Sequence, residues 1–282
     1  MQHIIQTTLK VQSWLIPTLT MLSLVNALTY DLVIIGGGSA GLTAAKFANT
    51  FSKSSIIIEK SKLGGDCTWT GCIPSKSLLS ISKKVFITKS MLSSSLTTSQ
   101  HDDVTIDMKK VQDEIRNKIQ IIYDEDDSPK VLKDKFNVDT IKGNAMFIDP
   151  KTISVTLDDI TKDTTTAPIS SSSKELEITA KYGIIIATGA VPKLPPTATS
   201  NIPKEIHYAT YETIFDKLHE INTKYKKITV VGAGPIGCEL SQALCRFGCY
   251  VTLVSSKILP KNEPEVNDLM KEIFENEGMT KR

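Results

Sequence analysis

Two glycine-rich segments constrain this chain more than any other feature. Both fit the pattern G-x-G-x-x-G, one from Gly36 to Gly41 and the other from Gly232 to Gly237. Each follows a short apolar run typical of a buried parallel strand and precedes a small-residue stretch predicted to be a helix. Glycines in this arrangement permit a tight turn and close approach of the backbone to a pyrophosphate. The pattern predicts an α/β fold with two Rossmann-like, dinucleotide-binding units; the alternative at each segment is a tight turn without a ligand.

The region between the two units favours a different structure. Residues from Phe136 to Thr179 alternate apolar and polar side chains in short pieces, which predicts an inserted antiparallel β-meander. Within it, the Asp-, Thr- and Ser-rich stretch from Asp158 to Ser173 is interpreted as a disordered hairpin insert. Before it, a helix from Ile106 to about Lys135 is predicted to break near Ser128 and Pro129, because proline favours a fresh helix start.

The amino-terminal residues are interpreted as a removable leader covering residues 1–28. This segment has a weakly basic start containing Lys10, a mostly apolar run from Trp14 to Leu28, and small residues at Val25 and Ala27. The alternative is an ordinary disordered extension or a wrongly assigned start. A leader would send the protein to the secretory pathway or to an organelle, either a plastid or a mitochondrion. Its apolar run is too short and too interrupted to predict a stable membrane span.

Composition excludes several other classes of protein. The net charge is +2 and no run of Lys and Arg stands out, so a nucleic-acid partner is not predicted. Five cysteines, an odd number in a chain of 282 residues, argue against a disulfide scaffold. Apolar residues make up 40% and charged residues 23%, which is typical of a globular protein of about two domains.

Side chains near the glycine motifs suggest how a nucleotide would be held. Glu59 closes the second strand of the first unit, where its carboxylate can accept hydrogen bonds from ribose hydroxyls. At the corresponding position of the second unit stands Ser255, followed by Ser256 and Lys257. The absence of a carboxylate removes a repulsion against a 2′-phosphate, and Lys257 can attract one, so NADPH is favoured over NADH. The alternative for Lys257 is a solvated loop lysine.

Cys67 and Cys72 form a closely spaced pair in a predicted loop, just before a helix expected to begin near Pro74. A disulfide between them would close a very short loop and remove little unfolded-state entropy, so stapling the fold is a poor reason for it. The positive end of the helix is expected to favour the Cys72 thiolate. A reversible redox couple is favoured; zinc is the main alternative, although no second Cys/His pair at ligand spacing occurs. The other cysteines are interpreted as buried apolar residues: Cys238, Cys245 and Cys249.

The segment from Gly64 to Lys76, GGDCTWTGCIPSK, resembles the redox motif of the class I pyridine nucleotide–disulfide oxidoreductases. This family includes glutathione reductase, dihydrolipoamide dehydrogenase and mercuric reductase. The triplet Ala187-Thr188-Gly189, at the end of a strand predicted from Tyr182, resembles the family's second flavin-contact segment. The order of the motifs also agrees, and the resemblance extends from about Tyr30 to the last residue.

The resemblance implies FAD and NADPH or NADH as cofactors, each with its own domain. Residues 29–190 would bind FAD and carry the redox cysteines, residues 191–225 would form a linker and return segment, and residues 226–282 would form part of an NAD(P)-binding domain. Electrons would pass from NAD(P)H through FAD to a Cys67–Cys72 disulfide, and then to a small-molecule disulfide or a metal-ion substrate. Such enzymes serve cell redox homeostasis, and the full-length form would be a homodimer.

The same resemblance implies roles for individual residues. Cys72 would lie beside the flavin and form the charge-transfer complex, and Cys67 would be the interchange thiol that attacks the substrate. Lys76 would lie near the flavin's reactive edge, paired with Glu239 from the nicotinamide unit. The other expected FAD contacts are Gly36, Gly38, Ser39, Ala40, Gly41, Glu59, Lys60, Gly65, Asp66, Ala187, Thr188 and Gly189. The expected NAD(P) contacts are Gly232, Gly234, Pro235, Ile236, Gly237 and Lys257.

The chain departs from the family pattern in several places. Asp66 replaces the usual Thr before the first cysteine, and Trp69 stands where Asn is common. With residues 126–129, these features resemble a mercuric reductase-like group of photosynthetic organisms. The chain ends at Arg282, before the extra cysteine pair of mercuric reductases and before the C-terminal dimerisation domain, which is therefore expected to be absent together with its catalytic His–Glu pair.

These departures leave more than one interpretation of function. The favoured one is a disulfide oxidoreductase whose sequence is truncated at its C-terminus, and the alternative is a catalytically incomplete flavin-binding fragment. A low-molecular-weight thioredoxin reductase fits poorly, because in that class the cysteine pair lies in the nicotinamide domain.

Overall fold

The computed structural model describes residues 27–92, 105–157, 175–194, 207–221 and 226–281. The predicted hairpin insert at 158–173 lies outside these ranges. So does the predicted leader, except for its last two residues, Ala27 and Leu28, which begin the first strand.

The first unit begins with a strand, a helix and a second strand: β1 (Ala27–Ile35), α1 (Ser39–Thr50) and β2 (Ser55–Glu59). β1 and β2 pair in parallel. Three consecutive isoleucines of β2 are almost fully buried, from Ile56 to Ile58. Branched side chains favour the extended backbone, and burial on both faces of the sheet explains why the apolar run is uninterrupted.

Three further strands complete a closed barrel: β3 (Val138–Phe147), β4 (Thr152–Leu157) and β5 (Glu175–Ile186). The first half of β3 pairs in parallel with β2, and its second half pairs antiparallel with β4. β5 pairs antiparallel with β4 and in parallel with β1. The antiparallel part is therefore not a separate insert, because its two outer strands also belong to the parallel sheet. The strand predicted from Tyr182 is the second half of β5.

The described chain between β2 and β3 is mainly helical, and the two redox cysteines belong to its first two helices. The helical elements are α2 (Gly65–Trp69), α3 (Cys72–Leu92), α4 (Met108–Ile122), a π-helical turn (Tyr123–Asp127) and α5 (Pro129–Phe136). The predicted break near Ser128 is confirmed, since α5 begins at Pro129. The new helix starts there because the Ser128 hydroxyl accepts from Val131 N and Pro129 suits the first turn. The expected loop before Pro74 is wrong in part, since α2 lies within it and α3 already begins at Cys72.

The second unit repeats the strand–helix–strand design. It consists of β6 (Lys227–Val231), α6 (Pro235–Phe247), β7 (Tyr250–Val254), α7 (Pro264–Asn276) and β8 (Thr280–Lys281). The strands are parallel in the order β6-β7-β8. α6 is followed by Gly248, whose φ of 110° lies in the left-handed region that a helix stop of this kind requires.

The two units meet through α3 and α6. One apolar cluster contains Leu78 of α3, Ile115 of α4 and Phe247 of α6, with Phe215 and Leu218 from the segment that precedes β6. Each of these side chains is at least nine-tenths buried, so the contact is a true core rather than a loose surface contact. Among the helices in the described ranges, none is both long and apolar enough to cross a membrane.

Candidate active site

A cavity of about 1300 Å³ lies at the carboxyl ends of β1 and β2. Its wall contains the first glycine loop, the residues that follow β2, the amino-terminal part of α2 and the segment that follows β5. Ligands of open α/β sheets bind at this end of the strands, where loops and helix N-termini converge. The position of the cavity therefore agrees with a nucleotide site.

The first glycine loop needs glycine for two different reasons. Gly36 has a φ of 104°, and a Cβ there would overlap the carbonyl oxygen of Ala187. A Cβ at Gly41 would overlap the carbonyl oxygen of Gly36. Gly38 is different, because the nearest atom to an added Cβ is Gly65 Cα at 3.8 Å and its φ of −79° suits any residue. The fold itself would accept a methyl group at Gly38, whereas a pyrophosphate lying against this backbone would not.

Glu59 fixes the turn at the end of β2. Its carboxylate accepts hydrogen bonds from Gly37 N and Ser61 N, each at 2.7 Å. A carboxylate has about four acceptor sites, so oxygen lone pairs remain for ribose hydroxyls. Glu59 and Lys60 both line the cavity, as does the start of α1 at Ser39 and Ala40.

Five other expected FAD contacts also line this cavity, namely Gly65, Asp66, Ala187, Thr188 and Gly189, whereas Gly41 is not part of its wall. Gly65 brings α2 against the glycine loop, because a Cβ there would lie only 2.6 Å from Gly38 Cα. Gly64 N donates to the carbonyl of Gly37 at 2.9 Å and holds the same contact. The backbone of the cysteine segment is thus fastened directly to the glycine loop.

Cys67 and Cys72 lie on successive helices and are both free thiols. Cys67, in α2, is half-buried and forms part of the cavity wall, whereas Cys72, the first residue of α3, is exposed and does not. A hydrogen bond with Cys67 raises the pKa of the Cys72 thiol, burial adds to this effect, and the charge of Lys76 opposes it. In the reduced pair the neighbouring Cys67 therefore disfavours the Cys72 thiolate more than the charge of Lys76 favours it.

Lys76 and Glu239 form an ion pair between the two units. Lys76 Nζ lies 2.6 and 2.7 Å from the two carboxylate oxygens of Glu239. Lys76 belongs to α3 and Glu239 to α6, so the pair spans the same helix contact as the shared core. Lys76 is not part of the cavity wall; the structure places its amine beside Glu239 and Cys72.

The second glycine motif has the same backbone design as the first. Gly232 has a φ of 102°, and a Cβ at Gly237 would overlap the carbonyl oxygen of Gly232. A Cβ at Gly234 would meet no atom within 4 Å, so this backbone is open to a ligand. Lys257 is exposed in the turn after β7, where its carbonyl accepts from the Ser255 hydroxyl at 2.9 Å. Pro235 and Ile236 start α6, as the motif predicts.

The sequence did not identify the far wall of the cavity. One face of α4 and the segment before β6 supply it, with an ion pair between Arg116 and Asp216 at 3.1 Å. The Gln112 side chain donates to the carbonyl of Phe215 at 2.8 Å and fastens the segment to α4. The amphipathic pattern of α4 indicates that one face of this helix is buried. The local sequence does not indicate which elements that face contacts.

The three remaining cysteines pack in the second unit. Cys238 and Cys249 are buried, and burial raises the pKa of Cys249 to about 11. Cys245 donates to the carbonyl of Glu277 at 3.0 Å. Throughout the described ranges, no three His, Cys, Asp or Glu side chains are grouped so that they could hold a metal ion.

The fold and the site together define a class: an α/β dinucleotide-binding protein with a dithiol next to its first nucleotide cavity. The family model described as pyridine nucleotide-disulphide oxidoreductase matches residues 30–282. The chain belongs to this family, whose members are flavin-dependent oxidoreductases, and the resemblance seen in the cysteine motif is confirmed.

Known relatives come from several branches of the family. A mercuric reductase of Lysinibacillus sphaericus is 30% identical over 94% of this chain and 43% of its own length. A glutathione reductase of Schizosaccharomyces pombe is 30% identical, covering 89% of this chain and 49% of its own. A dihydrolipoyl dehydrogenase of Chlorobaculum tepidum is 27% identical, covering 90% and 49%. The chain thus spans about half the length, or less, of these curated relatives.

One solved structure has the same fold. It is a copper(II) complex of a cysteine-to-serine mutant of RclA, an HOCl-induced flavoprotein disulfide reductase from Escherichia coli. The TM-score is 0.64 at 21% identity, over 90% of this chain and 49% of that one.

Proposed function

We propose that this protein passes electrons from NAD(P)H through FAD to a Cys67–Cys72 disulfide, and from there to a disulfide or a mercuric ion. One observation carries the proposal. Cys67 lies in the wall of the same cavity that the first glycine loop lines, so a dinucleotide held by that loop would reach the sulfur.

The residues of the cavity suit FAD. The open backbone at Gly38, the amino end of α1 and the spare carboxylate sites of Glu59 match a pyrophosphate and a ribose. FAD, when bound, supplies a two-electron carrier between the nicotinamide and the disulfide. The protein's part is to bind and orient that group next to the cysteines.

The cysteines perform the exchange with substrate. Two electrons break the Cys67–Cys72 bond and, with two protons, leave two thiols. One thiolate then attacks a substrate disulfide and forms a mixed disulfide, releasing the first substrate thiol. The second cysteine displaces the other substrate thiol and restores the Cys67–Cys72 bond. Lys76 favours the Cys72 thiolate in this cycle, and Glu239 holds the lysine in place.

Replacing Gly38 tests the flavin site without disturbing the fold. In Gly38→Ala the added methyl group makes only an ordinary contact with Gly65 Cα at 3.8 Å, so thermal unfolding should be unchanged while the affinity for FAD falls at least about tenfold, or about 1.4 kcal/mol. FAD titration followed by flavin fluorescence measures the affinity. The matched control is Gly183→Ala in β5, where an added Cβ meets no atom within 4 Å and lies away from the cavity. Equal FAD affinity in both variants would remove the glycine loop from the flavin site.

The equivalent change in the second unit tests the nicotinamide site. Gly234→Ala should weaken NADPH binding and leave FAD binding intact, and Gly38→Ala should do the reverse. Calorimetric titration with each nucleotide distinguishes the two sites. Loss of both nucleotides in either single variant would contradict two independent sites.

The roles of the two thiols are tested by trapping. The resemblance assigns the attack on substrate to Cys67, although Cys72 is the more exposed thiol. With glutathione disulfide, Cys72→Ser should therefore form a stable mixed disulfide at Cys67, detected by peptide mass. A mixed disulfide only in Cys67→Ser would reverse the assignment.

A mercuric ion as substrate is supported by the dithiol and by the mercuric reductase relative. Soft thiolates are the preferred ligands of soft metal ions. The reduced protein should bind one mercuric ion per Cys67–Cys72 pair, and Cys67→Ser should weaken that binding. Comparing oxidation of the reduced pair by glutathione disulfide with its binding of mercuric ion decides which substrate class fits.

A further inference from the structure

The residue that follows Cys67 is held by a buried hydrogen bond. Thr68, in α2, donates its hydroxyl to Asp127 Oδ2 at 2.7 Å. The exposed fractions of Thr68 and Asp127 are 4% and 7%. A buried carboxylate costs free energy unless it is paired, so this contact is strongly determined.

The next residue of α2 is held by the same π-helical turn. The rings of Trp69 and Tyr123 lie 5.2 Å apart, and Trp69 Nε1 donates to the carbonyl of Leu63 at 2.6 Å. Tyr123 and Asp127 are the first and last residues of the turn, so its two ends contact two consecutive residues of α2.

The π geometry explains why Asp127 points inward. Ser128 N bonds to the carbonyl of Tyr123, five residues earlier, at 2.8 Å, so the turn is wider than an α-helical one. Asp127 is buried, whereas the acidic residues before it are exposed: Asp124, Glu125 and Asp126. Lys46 of α1 lies 3.7 Å from Asp127 Oδ1 and donates to the carbonyl of Asp126 at 3.0 Å.

We propose that the π-helical turn positions Cys67 for disulfide exchange with Cys72, with Thr68 and Asp127 as the positioning residues. The inference rests on the proposed redox role of the pair. α2 has only five residues, and a helix that short does not persist without tertiary contacts. Holding Thr68 and Trp69 restricts Cys67 to one place and raises its effective concentration next to Cys72.

The test measures how readily the pair forms its disulfide. The protein of 282 residues is equilibrated in mixtures of glutathione and its disulfide, then alkylated and analysed by peptide mass. In this reaction the Cys67 and Cys72 thiols give two electrons and two protons to glutathione disulfide, which becomes two glutathione thiols. The readout requires neither bound FAD nor turnover.

Thr68→Val keeps the size of the side chain and removes the donor. We expect it to lower the equilibrium constant for the Cys67–Cys72 disulfide about tenfold, equal to about 30 mV in reduction potential. Asp127→Ala should act similarly, and the double variant should be no worse than the stronger single one, because both remove the same contact. Thr68→Ser keeps the hydroxyl and should stay within about twofold of the wild type.

Tyr30→Phe is the matched control for lost stability. It removes another long-range hydroxyl–carboxylate hydrogen bond in the first unit, 2.9 Å to Asp139 Oδ2, away from the cysteine segment. The proposal holds if Thr68→Val and Asp127→Ala change the equilibrium and Tyr30→Phe, with a similar fall in Tm, does not.

Two results overturn the positioning proposal: no change in Thr68→Val, or a change that follows Tm equally in all variants. A wild-type protein that forms no Cys67–Cys72 disulfide in any mixture would instead overturn the proposed function. The wild type and the variants thus separate the two failures.

Discussion

At the scale of single residues, Cys72 shows how a neighbouring thiol can raise the pKa of a cysteine despite a lysine nearby. The hydrogen bond with Cys67 is the main reason that its pKa is raised. In Cys67→Ser no second sulfur can take up negative charge, so the pKa of Cys72 should fall and alkylation at neutral pH should become faster. Lys76→Met should raise the pKa, because the lysine charge lowers it. The rate of alkylation as a function of pH, followed on the Cys72 peptide, measures both; shifts in the same direction would contradict these causes.

Lys257 gives a second prediction at this scale. In Lys257→Glu the reversed charge should repel a 2′-phosphate, and the ratio of NADPH to NADH affinity should fall about tenfold, equal to about 1.4 kcal/mol. Calorimetric titration with both nucleotides measures the ratio. Lys261→Glu, an exposed lysine in the same loop, is the charge-matched control. An equal fall of the affinity ratio in both variants would mean that Lys257 acts through the overall charge of the loop and does not contact the 2′-phosphate.

Residues with a fixed spacing could be found in the sequence, and residues with non-local partners could not. Gly36, Gly41 and Glu59 follow from the motif, because the chemistry requires them at set distances along the chain. Asp127 contacts Thr68 across 59 positions, and nothing in either local segment indicates the other. Lys76 and Glu239 were paired only through the resemblance.

At the scale of elements, side chains link β1 to β3 across the barrel strand β2, which lies between them. Tyr30 of β1 donates to Asp139 of β3, and Lys133 of α5 pairs with the same carboxylate at 2.8 Å. The break at Ser128 was predictable from proline and capping chemistry, whereas α2 and the π-helical turn leave no periodic signal in five residues each. β3 and β5 each pair with one parallel and one antiparallel strand. The sequence did not predict this, because the choice of strand partner is not local.

Tyr30 is expected to make the free energy of unfolding of the barrel fall at high pH. Burial, and then the hydrogen bond to Asp139, raise the pKa of Tyr30 above its ordinary value near 10. Above pH 10 the unfolded state releases this proton and the folded state keeps it, so stability falls as pH rises. In Tyr30→Phe this part of the fall should disappear. Urea unfolding between pH 8 and about 11.5 measures it, with the exposed Tyr250→Phe as control; an identical slope in wild type and Tyr30→Phe would contradict the shift.

At the scale of the whole molecule, the two units are joined by apolar packing and by the Lys76–Glu239 ion pair. Phe247 is 1% exposed in the shared core, whereas the Lys76 side chain is 62% exposed. Phe247→Ala should lower the free energy of unfolding by about 3–5 kcal/mol, and Lys76→Met by less than about 1 kcal/mol. Denaturant unfolding compares them, and a larger loss for Lys76→Met would contradict a core-based connection. The class of protein was predictable from its motifs, but the substrate was not, because relatives that are equally similar to this chain include both a mercuric reductase and a glutathione reductase.

The register of the barrel also bears on how the protein is made. Residue 27 pairs with residue 177, so the first and last strands of the barrel are separated by most of the first unit. A ribosome releases β1 and β2 long before β5 exists, and β1 keeps one row of unpaired amides and carbonyls throughout that interval. Contacts this distant along the chain slow folding and favour aggregation of the growing polypeptide. We therefore expect the nascent first unit to need chaperone protection until β5 has emerged.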